Sequence, residues 1–581
     1  MFKAKKLTHA SGRNDGRMLL RQPMLLLTII IVSTLLFIFV LLPIFNVIRF
    51  ALTTRDGAFT LAPLLGQLTS PRIGRAFINS MRLGVIVAIT ASAIGYLFAF
   101  AVARTEIPFK RFFSVVATFP IVSPPFILAL AVIFLFGRQG LITNGLLGIR
   151  DFDVLGLHSL VLVQTITFFP IAFLTLRGIL ESIDDSVEDA AFSIGASRWR
   201  VFRTITLPLS LPGIISSMLL VLILSIEDFS NPAVLGGSYH TLVVEVYRVI
   251  TGMFDLHTGA IISLFLLTPA VTAYLIQKYW LRKKSFVTVS GKPTQKRRKI
   301  HEKHIVYPIF IACALITAFI FLLYGTVLIG AFLQTWGVDY TFTLNHFRRV
   351  FAMGERAIAN SINLAVWATP IGGLLGIAIA YLTVRKRFFG RRAMELTSML
   401  IFAIPGTVLG IGYIATFNTP PLLLTGTGII LVAAFVFRNI PVAVESGTAT
   451  LLQIDKSIDE ASTISGAGSG YTFRRITLPL LKTAFFSGMV FAFVRAVTAV
   501  STIIFLVSPR WPLATAQVFS IFEGNHFSLA AAYVVVMIVI ILVAIGIIST
   551  IVKIILTPRA KAPPQEQVKQ AMSTMSGGTA K

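Results

Sequence analysis

The chain has 581 residues, of which 55% are apolar and only 13% are Asp, Glu, Lys or Arg, with a mean hydropathy of +0.84. A soluble domain carries about 25% charged residues, so this composition excludes an ordinary water-soluble enzyme and, being apolar, a disordered scaffold. The net charge of +27 and the single cysteine, Cys313, fit Lys- and Arg-rich cytoplasmic loops between membrane spans and exclude an intramolecular disulfide or a cysteine-ligated metal cluster.

A membrane-crossing helix needs about 20 mostly apolar residues, and the chain offers twelve such stretches. The basic segment 1–23 is read as a cytoplasmic N-terminal segment, because the apolar run after it is too long for a signal sequence and no small-residue cleavage site follows. Spans are then predicted at Met24–Ile48, Leu83–Val102, Phe113–Leu135, Leu157–Leu176, Ile214–Val234 and Ala260–Tyr279. Residues 282–304 form a linker in which Arg282–Lys303 holds nine basic residues against one acid, Glu302. Six more spans follow at Ile305–Phe332, Ile362–Val384, Leu396–Phe417, Gly428–Val444, Phe485–Val507 and Leu529–Ile555. The polar stretch 557–581 reads as a disordered cytoplasmic tail. Loops that share a side with the linker also hold Arg104, Arg198, Arg385 and Arg474, which predicts both termini in the cytoplasm.

The two halves, 24–281 and 305–556, are copies. Thirteen of the 27 residues from Ile183 to Leu209 recur identically 271 positions later, from Ile454 to Leu480. Upstream the offset is 281 and relates Asn79 to Asn360, Arg104 to Arg385 and Pro124 to Pro405. An even number of spans per half makes these parallel repeats about an axis along the membrane normal, with a pathway between them. The expected fold class is therefore an all-α membrane protein of two six-helix repeats and about 12 transmembrane helices.

The strongest repeat falls in loops 183–213 and 454–484. The first reads Glu188-Asp189-Ala190-Ala191, then Gly195, then Ile205-Thr206-Leu207-Pro208. The second reads Asp459-Glu460-Ala461-Ser462, Gly466 and Ile476-Thr477-Leu478-Pro479 at identical spacing. Acids favour a helix N-terminus, small residues admit a close partner, and the glycines suit the left-handed turn that closes a short helix. Leu-Pro then predicts a bend as the chain re-enters the bilayer.

The pattern E-A-A-x3-G-x9-I-x-L-P resembles the coupling loop of permeases in binding-protein-dependent ATP-binding-cassette importers, and the fused twelve-span layout is similar to their ferric-iron members. The resemblance covers roughly residues 20–556, with the phrases Phe435–Val444 and Phe493–Pro509 adding to it. It implies that Asp189, Ala190, Ala191 and Gly195 contact one copy of an ATPase subunit and Glu460, Ala461, Ser462 and Gly466 a second. It also implies an outer substrate-binding protein and a bacterial inner membrane. No G-x-x-x-x-G-K-[ST] phosphate loop occurs in the chain, so ATP and Mg would belong to the partner ATPase and this chain is not an enzyme.

Charges inside spans are costly and usually face protein or a cavity. Glu227, Asp228, Arg438 and Arg495 are the candidates, matched in the other half by Thr498, Ala499, Thr167 and Leu224. They either line the substrate pathway or pair across the halves. The arginines suit an anion and the acids a hard cation. Tyr239, His240, Asp255, His257, His346 and His526 in outer loops lack metal-ligand spacing, so no metal site is assigned. Ferric iron follows from the resemblance alone; phosphorylated or phosphonate anions are the alternative cargo. An ion-gradient-driven secondary transporter would also use repeats, but gives no reason for two matched loops.

Overall fold

The computed structural model describes residues 23–54, 56–281, 299–455 and 457–556. Most of the N-terminal segment, positions 282–298 of the linker and the tail 557–581 lie outside the described residues. The architecture is helical, apart from a small hairpin, β1 (Leu333–Thr335) paired antiparallel with β2 (Asp339–Phe342).

Eight principal helices build each half. In the first they are α1 (Pro23–Ala51), α2 (Pro71–Arg104), α3 (Lys110–Thr118), α4 (Ile127–Phe136), α5 (Leu157–Ser182), α6 (Asp185–Ser193), α7 (Leu207–Glu227) and α8 (Leu256–Leu275). Their counterparts are α9 (Lys303–Gly330), α10 (Asn345–Arg385), α11 (Arg391–Leu400), α12 (Gly406–Phe417), α13 (Gly428–Gln453), α14 (Ser457–Ile464), α15 (Leu478–Val497) and α16 (Phe527–Leu556). In the centre of each half, α2 lies along α5 and α10 along α13. Small residues make this possible: a Cβ on Gly95 would stand 2.7 Å from that of Ala172, and the repeat-related Gly376 meets Ala443. Close backbone approach of this kind is what holds helices together in lipid, where burial of apolar surface gives no drive.

The expected spans differ from the observed helices in where they break and end. Among the described residues ten helices are long and apolar enough to cross a bilayer, and an eleventh candidate is the bent pair Arg391–Ala403 and Gly406–Phe417, broken by 114°. The predicted spans Phe113–Leu135 and Leu396–Phe417 are thus not continuous. Each breaks at a 3-10 turn (Phe119–Val122 and Ile401–Ala403) just before a repeat-related proline, Pro124 or Pro405, whose missing N–H and bulk interrupt the helix. The predicted fifth spans, Ile214–Val234 and Phe485–Val507, also end early, at Glu227 and Val497. In the first half the Asp228 carboxylate accepts the Ser230 N–H at 3.0 Å and starts a new short helix, Ser230–Leu235.

The first helix of each half is exchanged onto the other. Helix α1 packs on α12, where Asn46 donates to Thr416 at 3.0 Å and Phe39 stacks on Phe437 of α13. Helix α9 packs on α4, with Gly330 against the Phe134 ring. The expected bend at Leu-Pro is absent. The chain stays helical through Phe202–Thr206 and Phe473–Thr477, one π turn each, and Pro208 and Pro479 follow directly, so the wider turn accommodates a residue that has no N–H to give inside the helix.

Candidate functional site

Two arrangements answer to the sequence motifs: a pair of short helices on one face of the bundle, and a polar cavity between the halves.

The short helices are α6 and α14. Asp184 caps α6 by accepting the Ser186 N–H at 3.0 Å, and Asp455 accepts the Ser457 N–H at 2.9 Å, each taking up a donor that a helix start leaves unpaired. Gly195 and Gly466 follow at φ +85° and +81° with open space around them. Glycine is needed there for its left-handed backbone, not for close packing.

Two acids in the first loop and one in the second turn inward. Arg104, at the end of α2, donates to Asp185 at 2.7 Å and approaches Glu188 at 3.6 Å, while Thr206 donates to Glu188 at 2.8 Å. In the second half Arg385 meets Asp459 at 3.1 Å and donates to the carbonyls of Leu451 and Ile454. Arg104 and Arg385 correspond, as do Glu188 and Asp459, so one clamp is built twice. Asp189, Ala190, Gly195, Glu460, Ala461 and Gly466 stand at the exposed surface and Ala191 is half-buried. Ser462 differs: it is buried, with its hydroxyl 2.8 Å from that of Thr472, so it packs the loop from within. Around these positions Val187, Ile194 and Trp199, and in the other loop Ile458, Ile464 and Tyr471, are exposed. Apolar side chains grouped on a charged loop mark a surface for a partner.

The clamps went unread in the sequence. The recurrence of Arg104 as Arg385 was its signal, but it served only to set the register of the repeat. Also unread was the contact from the end of the linker. Ile300 N–H donates to the Arg104 carbonyl at 2.9 Å, Glu106 N–H donates back to Ile300 at 3.1 Å, and Arg198 meets Glu302 at 2.9 Å. Arg198 also lies over the Phe192 ring of α6.

The cavity, of 150 Å³, lies where α7 and α15 end, and Glu227, Asp228, Arg438 and Arg495 all line it. The two alternatives for these charges divide between them. One Arg438 nitrogen reaches both Glu227 oxygens, at 2.7 and 2.8 Å, joining the halves. Its other donates to the carbonyls of Ile401 (3.1 Å) and Ile404 (2.6 Å). Pro405 has no N–H to give Ile401, so the arginine serves backbone that the broken span leaves open. Asp228 accepts from Gln164 at 2.9 Å and Asn231 at 2.7 Å and is satisfied within its own half. Arg495 is half-buried on the cavity wall and makes no ion pair or hydrogen bond among the described residues.

The outer-loop candidates take separate structural tasks. Tyr239 donates to Asn79, His240 lies near Glu245, Asp255 caps α8, and His257 contacts the Phe50 carbonyl. His346 and His526 line one cavity. Among the described residues no group of three His, Cys, Asp or Glu is placed to hold a metal ion.

Residues 91–285 and 372–562 each match the model of the binding-protein-dependent transport system inner membrane component. The chain belongs to that family. It is 36% identical over 545 residues, 91% of this chain and 78% of the relative, to the ferric transport system permease protein FbpB of Actinobacillus pleuropneumoniae. Over 496 residues it is 36% identical to a putative ferric transport system permease protein FbpB 1 of Haemophilus influenzae, covering 83% of this chain and 78% of that one. The molybdenum transport system permease protein ModB of Escherichia coli is 29% identical over 225 residues, 37% of this chain but 96% of its own. A whole permease of that kind thus corresponds in length to one half here. The chain is a fused double permease, a multi-pass membrane component of an importer and not an enzyme.

Proposed function

We propose that this permease carries ferric iron across a bacterial inner membrane, with both termini and the loop face in the cytoplasm. Two copies of an ATPase subunit, holding ATP and Mg, dock on α6 and α14. An outer binding protein delivers cargo to the opposite face. The observation that carries the reading is the doubled loop: two short helices with exposed Asp189-Ala190 and Glu460-Ala461, each locked to its own half by a buried arginine. A push on either helix is thereby passed to α2 or α10, and through them to the cavity between the halves. Energy released at the ATPase and cargo arrival outside become coupled through one two-state element. Ferric iron is the cargo in the names of the two long relatives; Glu227 and Asp228, held by Arg438 and by Gln164 and Asn231, shape the cavity it would cross.

One observation favours a second cargo. Arg495, which makes no ion pair or hydrogen bond among the described residues, lines the cavity wall and suits a phosphorylated or phosphonate anion. The experiment that separates the two is ATPase activity of the reconstituted permease, ATPase and binding protein with each cargo, in wild type and Arg495→Ala. For iron we expect stimulation in both proteins. Stimulation by hexose phosphate or aminoethylphosphonate alone, lost in Arg495→Ala, would replace iron by the anion.

A further inference from the structure

The face opposite the coupling loops holds a second cavity, of 400 Å³, built at the seam of the two halves. Arg138, just beyond α4, comes from the first half; Trp336, His346, Arg349 and His526 come from the second. The seam is tight at this point. Trp336 donates its indole N–H to the Phe134 carbonyl at 2.9 Å and stacks on that ring, and Gly337, at φ +76°, sits so close to Gln139 that a Cβ would stand 2.6 Å from it.

The cavity is one-sided in charge. No Asp or Glu is among the described residues that line it, and neither Arg138 nor Arg349 makes an ion pair or hydrogen bond among the described residues. His346 supplies a further unanswered group. It is 8% exposed and its Nε2 lies 3.1 Å from the carbonyls of both Leu333 and Gln334. Those acceptors call for the proton on Nε2, which leaves the buried Nδ1 in the wall without a partner. Arg138 and Arg349 are both exposed at the rim, where water and salt screen them from one another, and an anion entering between them is attracted by both.

We propose that this cavity is the anchor for an acidic side chain, Asp or Glu, projecting from the outer binding protein. The cavity, of 400 Å³, has room for a protruding side chain with its flanks. A carboxylate accepts from guanidinium forks in two directions, so one bound between Arg138 and Arg349 ties the first half to the second on the outer face. Binding there is tightest in whichever state holds the two arginines at carboxylate distance. Docking thus biases the same equilibrium that the coupling loops drive from inside. The inference rests on the reading that a binding protein delivers cargo to this face.

The test is a titration of cargo-loaded binding protein against the permease–ATPase complex in lipid nanodiscs, read as ATP hydrolysis, for wild type, Arg138→Glu, Arg349→Glu and the double variant. Arg138→Gln and Arg349→Gln carry the test where a reversed charge prevents folding, and Arg75→Glu, outside the cavity, is the control. We expect the half-maximal concentration to rise about tenfold or more in the double variant, as loss of a charged contact does, with the effect falling there and not on the rate at saturation. Added salt should weaken docking in wild type and barely change the double variant. A double variant that titrates like wild type overturns the anchor. Wild type unresponsive to binding protein at any concentration overturns the delivery reading itself, and the anchor with it.

Discussion

The two coupling loops share thirteen of 27 residues and their main clamp, yet they are held differently. In the first, Arg104 engages two acids, and Arg198 is drawn down by Glu302 so that its guanidinium covers Phe192. In the second, Arg385 engages Asp459 and divides its donors with two carbonyls. Position 469 is Ser where the first loop has Arg198, and glycines stand at 466, 468 and 470. The difference follows from fusion. A linker must run from the first half to the second, and among the described residues its end passes beside the first loop. Sequence symmetry in the docking motif therefore coexists with mechanical asymmetry behind it.

The largest expected effect comes from removing the clamps. Arg104→Ala removes the guanidinium that joins Asp185 and Glu188. Breaking a buried pair in this way costs about 3 kcal/mol or more, reduced here by the partial exposure of both acids. Arg385→Ala takes the cation from Asp459, which keeps the Thr477 hydroxyl, and a donor from two carbonyls. We expect both variants to insert and to lose most cargo-dependent ATP hydrolysis, with the lower melting temperature in Arg104→Ala. Equal melting temperatures would remove the first half of the comparison.

The glycines provide an intermediate effect that should be symmetric. Gly195 and Gly466 have nearly the same φ and empty surroundings, so alanine at either adds only the left-handed backbone cost, about 1 kcal/mol. Coupled ATP hydrolysis should fall several-fold and by the same factor in Gly195→Ala and Gly466→Ala. Unequal losses would place the asymmetry in the docking surface itself and not in what stands behind it.

Much of this was open to sequence reading because repetition turns a weak motif into a strong one. The fold class, the two repeats and the position of both loops follow from periodicity and recurrence. What stayed hidden were choices settled by neighbours far away in the chain. Pro124 and Pro405 break their spans, whereas Pro170 and Pro441 sit inside unbroken helices α5 and α13, so proline alone does not locate a break. Among adjacent acids, Glu188 turns inward and Asp189 outward only because Arg104 stands on one side. The pairing of Glu227 with Arg438 spans 211 positions and depends on α13 crossing the end of α7. The carbonyls that fix Arg438 exist only once the neighbouring span has broken.

The smallest effect, and the most direct on the asymmetry, is Glu302→Gln. Glu302 and Arg198 are both substantially exposed, so their pair contributes about 0.5 kcal/mol, a twofold change in local opening. That change should appear in one loop alone. Amide exchange over Asp185–Ser193 should quicken about twofold, while Ser457–Ile464 keeps its wild-type rate. Glu302's own backbone N–H and the Arg198 guanidinium hold its carboxyl below the usual range. A carboxyl lowered on folding stabilises the state in which it is ionised. The strap is therefore at full strength above the ordinary Glu range and is lost as pH falls through the lowered value. In wild type, acidification through that window should quicken exchange in the first loop toward the rate of Glu302→Gln, and the variant itself should lack this step. If both loops respond alike, the linker end restrains the bundle as a whole and the two coupling helices are mechanically equivalent.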